Sequence, residues 1–207
     1  MYHHIKSSEF ANQIYYLKDM NYNFLSFNSL LKDSSILKAS SKNILVTFDD
    51  GYKSNFFDSY PVAVKYNLPL IIYLTTGYIN NKRNFWWRSL KKSVLNSKVD
   101  TIYEKGNKID LITKHEREKF YYRKIKEIRQ LPISERDAYV DSLCSKVGFN
   151  KIGSRDNLSW KQIKYMNLKG IDFGIHTHNH VSFSHEEIST VLEDVDLSID
   201  EFRKNLE

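Results

Sequence analysis

The sequence predicts an α/β protein with a parallel sheet. Two observations carry this. Short apolar runs alternate with longer stretches of helical spacing, and the two clusters of chemically able side chains each follow directly on such a run. Ligands and catalytic groups collect at the C-terminal ends of the strands in parallel α/β architectures.

Taken in order, residues 2–5 read as a short strand. Phe10, Ile14, Leu17 and Lys18 follow at helical spacing, ending near Asn21. Residues 24–27 are a second short strand, and Leu30-Leu31 sit in a helical turn after Asn28. Residues 43–48 (NILVTF) form a bounded β-branched run that predicts one buried strand. The helical pattern of 55–66 contains Pro61, which predicts a kink or a late helix start. Residues 70–75 (LIIYLT) are another buried strand.

Trp86-Trp87 then precede helical stretches at 88–96 and 113–147, the latter interrupted near Pro132. Residues 160–168 are helical after a Ser159 cap, Gly170 stops that helix, and 171–175 form a further strand. A last amphipathic helix, 185–206, is expected to be capped by Ser184 with Glu187 three residues on. No internal repeat or linker interrupts the pattern. The expectation is one domain over 1–207 with a helical insertion at about 88–150.

Composition narrows the classes of function. At 41% hydrophobic with 3 Pro and 7 Gly, the 207 residues are neither disordered nor of low complexity. Cys144 is the single cysteine, which excludes an internal disulfide framework or a multi-cysteine metal site. No apolar run approaches the ~20 residues of a membrane span. The first residues, MYHHIK, lack the layout of a signal peptide, so the expected location is cytoplasmic or at the cell envelope. The formal charge of +6 permits a polyanionic partner. The densest basic stretch, 114–129, nevertheless interleaves Glu116, Glu118 and Glu127 with apolar residues at helical spacing, which is a solvated helix face. Nucleic acid is not an expected partner.

Two clusters carry chemistry. Thr47-Phe48-Asp49-Asp50-Gly51 places adjacent carboxylates at a strand end, where like charges at close range raise one pKa. A polar turn is one reading. A cation that takes one carboxylate as ligand and leaves the other as base is a second. Gly51 lets the chain turn sharply. The second cluster, His176-Thr177-His178-Asn179-His180, packs three imidazoles into five residues, and neutral imidazole is a common zinc ligand. In a helical turn His176 and His180 would face one side and His178 another. Thr177 excludes the H-E-x-x-H pattern. Asp50, His176 and His180 would make a two-histidine, one-carboxylate set suited to hydrolytic zinc or non-haem ferrous iron. The H-x-H of amidohydrolases is a weaker match, because only His180 and His185 follow His178.

TFDDG followed by H-T-x-x-H resembles the polysaccharide deacetylases of carbohydrate esterase family four. MYHHI, the stretches 10–31 and 51–79, Trp86-Trp87 and LSWKQIKYMNLKGIDFGIHTHNH extend the resemblance along nearly the whole chain. It implies a distorted (β/α) barrel and hydrolysis of N-acetyl groups from a polysaccharide or glycan. It further implies Asp49 as general base, Asp50, His176 and His180 as ligands of a divalent ion (most simply zinc), and Thr47, Gly51 and Thr177 in support. His178 and Asn179 fall at variable positions.

The family's Pro-Tyr and Leu-x-His motifs have no counterpart, since no Pro follows Pro132 and no His follows His185. The resemblance therefore implies a barrel truncated before its last strands. That shape could self-associate through an open edge. The alternative to an active deacetylase is a truncated remnant that binds metal or glycan with little or no turnover.

Overall fold

A computed structural model of the chain describes residues 5–36, 42–81, 83–148 and 156–207. Its elements in chain order are α1 (Ser7–Asp19), β1 (Asn23–Phe24), α2 (Phe27–Lys32), β2 (Asn43–Ile44), β3 (Thr47–Phe48), α3 (Tyr60–Tyr66), β4 (Ile71–Leu74), α4 (Trp86–Leu95), β5 (Thr101–Glu104), β6 (Asn107–Asp110), α5 (Lys114–Ile128), α6 (Ile133–Lys146), α7 (Trp160–Asn167), β7 (Asp172–Ile175) and α8 (Ile188–Leu206). The strand expected at 2–5 falls on residues of which only Ile5 is described. The chain divides into two compact units, one of residues 1–81, 156–178 and 197–207, the other of 82–155 and 179–196.

The first unit is organised by a parallel sheet in the order β3-β4-β7. Thr47 pairs with Ile71, and Leu74 with Ile175. β1 and β2 form a separate parallel pair. The expected single strand at 43–48 is thus two strands, because the run changes partners midway. Asn43–Ile44 lies against Asn23–Phe24, while Thr47–Phe48 lies against Ile71–Ile72. The run is also less buried than expected, with Thr47 exposed. The strand expected at 24–27 stops at Phe24, since the Ser26 hydroxyl accepts the Ser29 N–H at 3.1 Å and so starts α2.

A wide π-helical turn over Asn55–Ser59 leads into α3. Pro61 is the second residue of α3, where a missing N–H costs no intrahelical bond. Ser159 caps α7 as expected, accepting the Gln162 N–H at 3.3 Å while Gln162 accepts the Ser159 N–H at 2.9 Å. The core of this unit packs Leu70, Ile72 and Leu74 of the sheet against Ala63, Ile163 and Met166 of the helices. Each of these Leu, Ile and Met side chains removed from water is worth about 1.5–3 kcal/mol.

The second unit is helical with one hairpin. β5 and β6 pair antiparallel through Lys105 and Gly106, whose φ values of 49° and 79° are both left-handed. This is the backbone that a two-residue primed turn requires, and it makes the expected helical insertion partly β. Trp86, Trp87, Leu90, Tyr121, Ile125 and Ile128 are among its buried residues. Lys124 is buried with them, paired with Glu104 and bonded to Glu127 at 2.6 Å and to the Tyr139 hydroxyl at 3.0 Å. The paired charges offset the cost of removing the ammonium from water.

α8 begins at Ile188, so Ser184 is not its cap. Glu186 is extended, and its carboxylate accepts the Ile133 N–H at 2.6 Å. That tertiary bond displaces the capping box expected at 184–187. No described helix is long and apolar enough to cross a membrane.

Candidate metal centre

The order of the sheet sets the first two site residues on either side of the end of β4. Beyond the paired strands, the Thr75 N–H donates to the Asp50 carbonyl at 3.4 Å, and the His176 N–H donates to the Leu74 carbonyl at 2.8 Å. The ladder continues as the Thr76 N–H donates to the Thr177 carbonyl (3.2 Å) and the Gly77 N–H to the His178 carbonyl (2.9 Å). Residues 176–178 are therefore anchored along the backbone of 74–77.

Asp50 is 9% exposed, and Nε2 of His176 lies 3.7 Å from its Oδ1. Asp49, by contrast, is exposed to solvent. The adjacent carboxylates are thus separated by environment, one turned in and one turned out. Asp50 has a φ of 73° and Gly51 a φ of 78°, a sharp reversal at the strand end. A Cβ at position 51 would lie 3.0 Å from Leu74 Cδ2 and 3.2 Å from Ile79 Cδ1, so a side chain there would be crowded as well as strained by the left-handed backbone. Thr47, three residues before Asp50, is exposed.

The histidine loop is not a helical turn. Thr177 and His180 have φ values of 66° and 55°, and the loop turns through left-handed residues. Within the first unit Asp50 and His176 set a carboxylate and an imidazole 3.7 Å apart, two donor types that fit zinc. His180 belongs to the second unit, where its ring lies 4.6 Å from that of Trp87. The Oγ1 of Thr177 is buried and meets no hydrogen-bond partner among the described residues.

His178, for which the sequence offers no role, fastens the loop. Its Nδ1 lies 3.0 Å from Thr76 Oγ1, which in turn donates to Ser198 Oγ at 3.3 Å. A Cβ on Gly77 would come within 2.5 Å of the His178 carbonyl oxygen. In the second unit, the Asn179 N–H donates to the Asp194 carboxylate (3.0 Å), and the Asn179 side-chain amide donates to the same group (2.7 Å). No sequence motif signals Thr76, Asp194 or their roles, because each acts through contacts made only in the fold. Of the aromatic residues near these motifs, Tyr78, Trp86 and Trp87 are buried in the cores.

Residues 37–132 match the model of the polysaccharide deacetylase family. YxkH of Bacillus subtilis (strain 168), provisionally named a polysaccharide deacetylase, is 32% identical over 105 residues, covering 44% of this chain and 36% of the relative. The poly-beta-1,6-N-acetyl-D-glucosamine N-deacetylase of Staphylococcus epidermidis (strain ATCC 35984 / DSM 28319 / BCRC 17069 / CCUG 31568 / BM 3577 / RP62A) is 28% identical over 102 residues, covering 49% of this chain and 34% of the relative. These alignments span about a third of the curated relatives' length. The solved structure of IcaB from Ammonifex degensii superposes with a TM-score of 0.57 at 18% identity, over 98% of this chain and 62% of that one. At that identity the likeness is one of fold. The resemblance read from TFDDG and H-T-x-x-H is borne out by the family match and by the names of the relatives.

Proposed function

We propose that this chain, which carries polysaccharide deacetylase sequence over residues 37–132, removes N-acetyl groups from an N-acetylated polysaccharide with the help of a divalent ion. The observation that carries this reading is the pairing of Asp50 with His176 at 3.7 Å beside the end of β4, in a chain with named deacetylases among its relatives. Asp50, His176 and His180 would hold the ion, for which zinc is the simplest choice given two imidazole donors. When bound, such an ion supplies Lewis-acid polarisation of the acetyl carbonyl and a lowered pKa for water.

The protein's own residues supply the rest. Asp49, exposed beside the buried Asp50, accepts a proton from the attacking water as general base. Water adds its oxygen to the acetyl carbon, the carbon–nitrogen bond breaks, and the amine leaves with a proton. The products are acetate and a free amino sugar. Gly51 keeps the reversal that separates the two carboxylates, and the left-handed Thr177 turns the chain from His176 toward His180. Thr47 supports the strand that delivers Asp49 and Asp50. The parallel strands β3, β4 and β7 are read as part of the distorted barrel of these enzymes, a reading supported by the superposition on IcaB.

The test is acetate release from N-acetylated β-1,6-linked glucosamine oligomers with added Zn2+. The expected result is turnover that falls about 100-fold or more in Asp49→Asn, the scale of a lost general base. Equal rates in the wild type and in Asp49→Asn would overturn the assignment of the base. No release from any N-acetylated oligosaccharide would favour a chain that binds without turnover.

A further inference from the structure

We infer that Arg136, on α6, is a positioning residue for His180, fixing the backbone from which that histidine is presented. The inference rests on the reading of His180 as a metal ligand. Arg136 is 4% exposed, although arginine is rarely buried without dedicated partners. Its Nη1 donates to the His180 carbonyl at 2.9 Å, and its Nη2 donates to the Asn179 carbonyl at 3.0 Å. Its Nε donates to Asp137 at 2.8 Å, and the guanidinium carbon lies 5.8 Å from the Trp86 ring centroid. The planar fork thus reads two successive carbonyls in fixed register, which a lysine ammonium cannot do.

The clamped residue needs such a device. His180 has a φ of 55°, in the left-handed region that L-residues rarely adopt. Strain of that kind persists where the surroundings over-determine it. Here they do so from several sides. Asp194, 3% exposed, takes two donors from Asn179, and Arg83 donates to the Asn179 side-chain oxygen. Trp87 lies with its ring centroid 4.6 Å from that of the His180 imidazole. Backbone, neighbouring side chain and ring are each held by a different residue. Arg136 is the residue that bonds the carbonyl of His180 itself.

The experiment measures Zn2+ affinity by competition with a chromogenic chelator for the wild-type chain, Arg136→Lys, His180→Ala and the double variant. In parallel, histidine ring resonances are followed by NMR without metal. Arg136→Lys is expected to weaken Zn2+ binding about tenfold or more, the scale of a lost outer-shell partner. It should shift the ring signals of His180 but not those of His115. The double variant is expected to bind no more weakly than His180→Ala, since both changes act on one ligand. Asp194→Asn, which acts through Asn179, is expected to weaken binding in the same direction and serves if Arg136→Lys does not fold. Wild-type Zn2+ affinity in both folded variants, or strictly additive losses in the double variant, would overturn the proposal. Unchanged affinity in His180→Ala would instead refute the ligand reading, and the ring shifts would then decide the positioning role alone.

Discussion

Nε2 of His176 stands 3.7 Å from Oδ1 of Asp50, across the end of β4. Two ligands about 2.0–2.1 Å from a tetrahedral ion lie ~3.4 Å apart. The pair therefore sits near ligand–ligand spacing rather than at hydrogen-bond distance. Main-chain hydrogen bonds hold both residues beside the end of β4, Asp50 through Thr75 and His176 through Leu74.

A ligand set that binds the folded chain and not the unfolded one raises its stability by mass action. Saturating Zn2+ at about 100 times its Kd is expected to add roughly 2.7 kcal/mol. Differential scanning fluorimetry with and without Zn2+ checks this. The melting temperature of the wild type should rise, and that of His176→Ala should not. An equal rise in both would mean that the ion binds elsewhere.

Gly51→Ala is expected to destabilise the chain by about 1–3 kcal/mol, adding left-handed strain to crowding at Leu74 and Ile79. Urea unfolding measures it. Gly106→Ala, where a Cβ would meet nothing within 4 Å, is the control and should lose only the smaller backbone contribution.

The Glu104–Lys124 pair predicts a pH dependence. Burial opposes the charge on Glu104, but the hydrogen bond and charge of Lys124, with Tyr139 and Arg123, outweigh it and hold the carboxyl below its usual range. A carboxyl depressed in the folded state stabilises above its unfolded value, near pH ~4.3, and that contribution is lost as pH falls through the folded value. The stability difference between wild type and Glu104→Gln should therefore be largest near pH 7 and shrink toward pH 3. A difference independent of pH would contradict the pairing.

Ser159→Ala should cost about 1 kcal/mol, the usual value of a helix N-cap, because both halves of the Ser159–Gln162 capping box form. Chemical denaturation reads the loss. A change of only a few tenths would mean that the cap is redundant with the packing of Trp160.

The Ser159 cap was legible because it needs only neighbours in sequence, and so were the strand ends that carry Asp50 and His176. Local pattern failed where tertiary bonds decide. The run 43–48 is split by a change of partner strand, and the start of α8 is displaced by the Glu186–Ile133 hydrogen bond. The β5–β6 hairpin was signalled by Gly106 between two short alternating runs, but the surrounding helical patterns hid it. The histidine spacing suggested a helical turn, but a four-residue interval alone does not exclude a loop through left-handed Thr177. Arg136 lies 44 residues from His180, and nothing in the sequence joins them.

The most direct test of the central claim is the zinc content of the purified chain by elemental analysis, in wild type and in Asp50→Ala. The account predicts close to one equivalent in the wild type and a small fraction of that in the variant. Equal zinc in both would contradict it.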